Sequence, residues 1–208
     1  MLTAALIGLN VACFLLELSL GDELDSFVRR WGAVPADVLA SLRGSEGPAA
    51  VITLLTSTFL HAGWLHLAAN MLYLAVFGRP VERGLGSARF GVLYLTSGLV
   101  GSLAYLLAQP ESTRPAVGAS GAIAGLIAAH LVLYPGATLG SVAPVLFLQA
   151  VENTPTLLLL LLWLATQLFS SVASLTTSTG LAWWAHLGGF ASGLALAPLV
   201  RPRRLRRS

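Results

Sequence analysis

Four polar side chains stand out in an otherwise apolar chain: His66, Asn70, Ser120 and His186. A serine hydroxyl is a weak nucleophile until a neighbouring base takes its proton, and an imidazole can do so. His66 and Asn70 are four residues apart, so on a helix they share one face. Both can donate hydrogen bonds to an oxygen that gains negative charge during acyl transfer. Ser120, in the run Gly118-Ala119-Ser120-Gly121, reads as the start of a helix. There the first backbone N–H groups lack intrahelical partners and the positive end of the helix dipole is exposed. The set therefore holds a nucleophile (Ser120), a base (His186) and oxyanion donors (His66, Asn70 and the Ser120 N–H).

Each residue alone has a plainer reading. Ser120 could be a small helix-start residue or N-cap, and Ala122 stands where the soluble-hydrolase GxSxG elbow needs glycine. His186 could be a structural histidine bonded across helices. A metal is disfavoured: His61 and His66 are five apart, not the three or four that put two ligands on one helical face, and there is no HExxH. His61 is expected to tether loop or backbone near the site mouth, and His130 to be a lone interfacial histidine. Trp31, Trp64, Trp183 and Trp184 read as belt residues at the outer membrane surface. The aspartates Asp22, Asp25 and Asp37 all fall in one early loop, which excludes an intramembrane aspartyl pair. No cofactor is implied.

What positions these residues follows from composition. Of 208 residues, 56% are apolar and 10% charged, and mean hydropathy is +0.79. A soluble domain carries about 25% charged residues, so the chain reads as an all-α, polytopic membrane protein. Its twelve basic residues are all arginines, and five of them, Arg201, Arg203, Arg204, Arg206 and Arg207, form a terminal cluster suited to anionic headgroups rather than nucleic acid. Cys13 is the only cysteine, so an internal disulfide is impossible. Spanning takes about 20 apolar residues. The charge-poor stretches 1–20 (past the single Glu17), 47–78, 90–110, 115–151 and 153–200 hold six spans, the last being divided at the polar run 176–180. The piece 142–151 is too short to cross and is expected at the interface. The first stretch lacks a basic n-region and a cleavage site, so it is expected to be a retained helix.

Arginine placement puts both termini inside: eight on the inside (Arg79, Arg83, Arg89 and the five tail residues) against four outside (Arg29, Arg30, Arg43 and Arg114). Spans two, four and six then run the same way, and their N-terminal ends deliver His66 with Asn70, Ser120, and His186 to one depth. Intramembrane polar groups are costly and mark function, so their convergence marks a site. No carboxylate lies in the fourth or sixth span, which favours a Ser-His dyad over a triad. Gly121 with Gly125 and Gly189 with Gly193 form GxxxG pairs that let two helix backbones approach closely.

These residues resemble the rhomboid family of intramembrane serine proteases. The resemblance runs through Thr58-Phe59-Leu60-His61-Ala62-Gly63-Trp64-Leu65-His66-Leu67-Ala68-Ala69-Asn70, Val81-Glu82-Arg83-Gly84-Leu85-Gly86, Gly118-Ala119-Ser120-Gly121 and Ala185-His186-Leu187-Gly188-Gly189. It covers about residues 50–200 and implies a six-helix rhomboid-like bundle in a single domain, 1–208, with 201–208 as a basic cytoplasmic tail. By resemblance Ser120 is the nucleophile, His186 the base, and His66 and Asn70 the oxyanion donors. Gly118 is then the glycine whose backbone faces the pocket, and Glu82 a structural residue on the cytoplasmic side. Substrates would be transmembrane segments of other membrane proteins, entering sideways and cut near the extracytoplasmic face, with the loop 176–182 and the fifth span moving. The compact form suggests a bacterial inner membrane. Some bacterial members carry a Trp-Arg pair where this chain has Ile52 and Thr53. The alternative reading is a non-catalytic relative that binds transmembrane helices; a small transporter is weaker, with no acid or arginine deep in spans two to six.

Overall fold

The computed structural model describes residues 1–44, 47–138, 153–158, 160–161, 163 and 183–201. Among these every regular element is a helix, and the only β pairings are isolated bridges. The helices are α1 (Leu2–Ser19), α2 (Leu24–Trp31), α3 (Pro35–Leu42), α4 (Ala49–Thr56), α5 (Trp64–Tyr73), α6 (Arg79–Leu85), α7 (Ser87–Ala108), α8 (Ser120–Leu133) and α9 (Trp183–Val200). A π-helical turn, Leu74–Gly78, joins α5 to α6. By length and apolarity α1 and α7 can cross a bilayer. A third crossing is made if Ala49–Phe59 and Trp64–Leu85 count as one span, although they bend by 78°. Most of the expected fifth span, the piece 142–151, the loop 176–182 and the tail 202–208 lie outside the described residues.

The polarity of α1 is inverted relative to a water-soluble helix. Its buried stripe, Thr3, Leu6, Asn10, Phe14 and Glu17, recurs every three or four residues and carries the polar side chains of Thr3, Asn10 and Glu17. Leu9, Leu15, Leu16 and Leu18 face outward. In α7 the buried face runs through Phe90, Tyr94, Ser97, Gly101 and Tyr105, while Val92, Leu95 and Leu99 are exposed. An apolar outer face with polar groups inside is the arrangement a lipid solvent selects, because only protein partners can satisfy those groups.

Helix α8 is apolar all round, and its residues from Gly121 to His130 are buried, as expected of a helix enclosed by others. It packs against α7 and α9. The glycine pairs read from the sequence form this seam: a Cβ on Gly189 or Gly193 would run into the carbonyl oxygens of Gly121 and Gly125. His130, expected at an interface, is instead inside the bundle and 1% exposed, between the rings of Phe77 and Tyr134, each 5.3 Å away. The long apolar run around it outweighs its polarity.

Glu82 ties α6 to the start of α1. Its carboxylate accepts the Leu2 N–H (2.6 Å), the Thr3 N–H (2.9 Å), the Thr3 hydroxyl (2.7 Å) and the Ser87 hydroxyl (2.7 Å). The two N–H groups belong to the first turn of α1, which has no intrahelical acceptors, so Glu82 caps that helix through tertiary contact. Glu82→Ala leaves these donors unmatched. It is expected to cost about 3 kcal/mol of stability, measurable as a lower melting midpoint in detergent.

The first loop is folded. Val34 and Val38 are buried, with Val38 packed against Leu54 and Leu106, and Ala33 pairs with Ala116 through N–H···O bonds of 3.0 and 2.8 Å. The Gly118 N–H donates to the Ser57 carbonyl at 2.8 Å. The segment leading into α8 is thus held on both sides before Ser120 is reached.

Candidate active site

Ser120 is the first residue of α8 and His186 lies in the first turn of α9. Close approach of the two helices at their glycines sets the distance between them. Ser120 Oγ and His186 Nε2 are 2.7 Å apart, a hydrogen bond that can carry a proton from hydroxyl to ring. Two tryptophans flank the imidazole: Trp183 meets it edge-on at 5.6 Å and Trp163 lies tilted at 6.1 Å.

His66 stands on α5, and the Ala62 N–H donates to its Nδ1 at 3.4 Å. A nitrogen that accepts a hydrogen bond carries no proton, so in the neutral ring the proton sits on Nε2, which becomes a donor. The ring edge formed by that nitrogen and Cε1 lies beside Gly118. A Cβ built on Gly118 would lie 2.9 Å from His66 Nε2 and 3.7 Å from Ser120 Oγ. The donor and the hydroxyl therefore face the space left by the missing side chain. Gly118 also has φ +124°, a conformation that side-chain-bearing residues rarely adopt. Asn70, one turn further along α5, donates from Nδ2 to the His66 carbonyl at 3.0 Å, and its amide carries a second N–H.

His66, Asn70, Ser120 and His186 line one cavity of about 430 Å³, with Tyr73, Ile123 and Trp163 among its apolar walls. Behind Ser120 lies a second space of about 20 Å³, bordered by Ser57, Thr58, Ser102 and Tyr105. It is large enough for about one water molecule by the usual volume criterion.

All five residues singled out in the sequence thus converge. His61 does not line this cavity, and its ring, 5.2 Å from that of His66, has no hydrogen-bond partner among the described residues, so it is not the side-chain tether expected; its backbone is held from α1. Sequence reasoning missed Trp163 and gave Trp183 and Trp64 only a belt role, although Trp64 packs edge-on against Phe14 at 5.0 Å. It also passed over Glu17, whose signal was available as a lone charge in an apolar stretch.

A family model for the rhomboid domain matches residues 48–203. The chain belongs to the rhomboid family. Among curated relatives, RHOMBOID-like protein 4 of Arabidopsis thaliana is 36% identical over 80% of this chain. Rhomboid protease GluP of Bacillus subtilis is 38% identical over 57% of it, and Inactive rhomboid protein 1 of Drosophila melanogaster is 36% identical over 42%. The matched stretches span 38%, 21% and 6% of those three proteins. This rhomboid is accordingly a membrane protein of a family whose members include a named protease and a named inactive protein.

Proposed function

We propose that this rhomboid is an intramembrane serine endopeptidase that cuts transmembrane segments of other membrane proteins through a Ser120–His186 dyad. The observation that carries the reading is the 2.7 Å contact between Ser120 Oγ and His186 Nε2, beside the His66 nitrogen aimed across Gly118.

On this reading the Ser120 hydroxyl gives its proton to His186 Nε2 as its oxygen bonds to the substrate carbonyl carbon. The carbonyl π electrons move to oxygen, where negative charge meets the His66 Nε2–H, the Ser120 N–H and the Asn70 amide. Collapse re-forms the carbonyl and breaks the C–N bond, and the leaving amine takes the proton from His186. The acyl-enzyme is then hydrolysed by water activated by the same imidazole. The small hydroxyl-lined space behind Ser120 is suited to hold that water.

Depth follows from helix length. The 14 residues of α8 span about 21 Å at about 1.5 Å per residue, less than a hydrocarbon core of about 30 Å. A helix this short cannot reach both faces of the core, which leaves room for Ser120 to start inside the membrane thickness, where the reading needs it. A substrate helix must unwind to expose its carbonyl there, so glycine or proline near the scissile bond should raise the rate. The topology proposed is six spans with both termini cytoplasmic in a bacterial inner membrane, with cleavage near the extracytoplasmic face.

The named inactive relative favours a second reading, a non-catalytic binder of transmembrane helices. A serine-reactive fluorophosphonate separates the two. On the proteolytic reading it labels purified protein at Ser120, and His186→Ala abolishes the label. Absence of labelling in the unaltered protein would favour the binder.

A further inference from the structure

Glu17 lies in the first span, where a carboxylate is expensive, and it is 2% exposed. Both of its oxygens lie 3.2 Å from one donor, the His61 backbone N–H. The next N–H along the chain, that of Ala62, is the one that reaches His66 Nδ1. One turn earlier on α1, Phe14 packs edge-on against Trp64 at 5.0 Å and an interplanar angle of 78°. Residues 61–64 are thus held from α1 at both ends, and between those holds lies the donor that fixes which nitrogen of His66 carries the proton.

We infer that Glu17 is a positioning residue for the oxyanion donor His66: by holding the His61 N–H it sets the Ala62 N–H against His66 Nδ1 and so keeps Nε2–H aimed at the space beside Gly118. The inference rests on the proteolytic reading of Ser120 and His186. It gives α1 a catalytic purpose even though no α1 residue lines the cavity that holds Ser120. It also explains why position 17 carries a hydrogen-bond acceptor. A backbone amide in a short link between helices has no carbonyl in regular register to accept it, and inside a membrane no water replaces one.

The test is a double-mutant cycle in proteoliposomes, read as cleavage of a transmembrane reporter. Glu17→Ala should lower kcat by about 10- to 100-fold, the penalty of a small misplacement in a reacting geometry, with KM unchanged. Glu17→Gln, which keeps an acceptor oxygen without the charge, should stay within a few-fold of the unaltered protein. In a His66→Ala background Glu17→Ala should have no further effect, because the group it positions is gone. A loss in that background as large as in the unaltered one would overturn the inference, as would a Gln variant no better than Ala or an Ala variant with full kcat. Failure of the proteolytic reading looks different: the unaltered protein itself then leaves the reporter uncut. Should Glu17→Ala not fold, the Gln comparison and the same cycle with Glu17→Leu decide the matter.

Discussion

Ser120→Ala and His186→Ala are each expected to reduce cleavage of a transmembrane reporter by about 10⁵- to 10⁶-fold, and the double variant by no more than either single. The non-additivity follows from the 2.7 Å contact. The hydroxyl is nucleophilic only while the ring can take its proton, and the ring has no other proton to take in the first step. Either deletion removes the same event. Both side chains are partly buried and each substitution removes polar atoms without adding bulk, so the proteins should insert and melt close to the unaltered one. The measurement is single-turnover cleavage in proteoliposomes beside a melting curve for each variant. Cleavage that persists in purified Ser120→Ala would sink the dyad.

Much of this was legible in the linear chain because a membrane reduces the number of solutions. With few charges available, His66, Asn70, Ser120 and His186 are conspicuous in the sequence, and the fold gathers them around one cavity. The Gly121/Gly125 and Gly189/Gly193 pairs likewise announced a close seam, and in the fold Gly189 and Gly193 of α9 each lie against a carbonyl of α8. Periodicity says nothing about links. The 78° bend between Ala49–Phe59 and Trp64–Leu85 is made at residues 60–63, within the stretch 47–78 that the apolar count treated as holding a single span. The role of Glu17 depends on that bend, since only there does a backbone N–H come free to meet a side chain 44 residues earlier. His130 was misplaced for a related reason: a lone polar residue near a helix end looks interfacial unless the aromatic rings of Phe77 and Tyr134, one of them far off in sequence, are known to enclose it. Trp163 could not be paired with His186 by any local rule.

The second large effect concerns the space between His66 and Ser120. His66→Ala removes a donor aimed where negative charge develops, and deletion of one such donor typically costs about 10²- to 10³-fold in kcat. Gly118→Ala should cost at least as much while leaving His66 in the protein. Its methyl group would lie 2.8 Å from His66 Cε1 and 2.9 Å from Nε2, closer than van der Waals contact allows, and so would displace the ring or fill the space itself. The backbone at φ +124° would be strained as well, at a cost of about 1–3 kcal/mol. If both act on the oxyanion, the double variant His66→Ala/Gly118→Ala should be better than the sum of the single losses, because removing the ring makes room for the methyl. KM should change little in either single variant, since the donor is called on only in the transition state, and kcat and kcat/KM should fall together. A rise in KM with kcat unchanged would move His66 and Gly118 from stabilising the oxyanion to binding the substrate. Fully additive losses would separate the two residues and leave the oxyanion to the Ser120 N–H and Asn70.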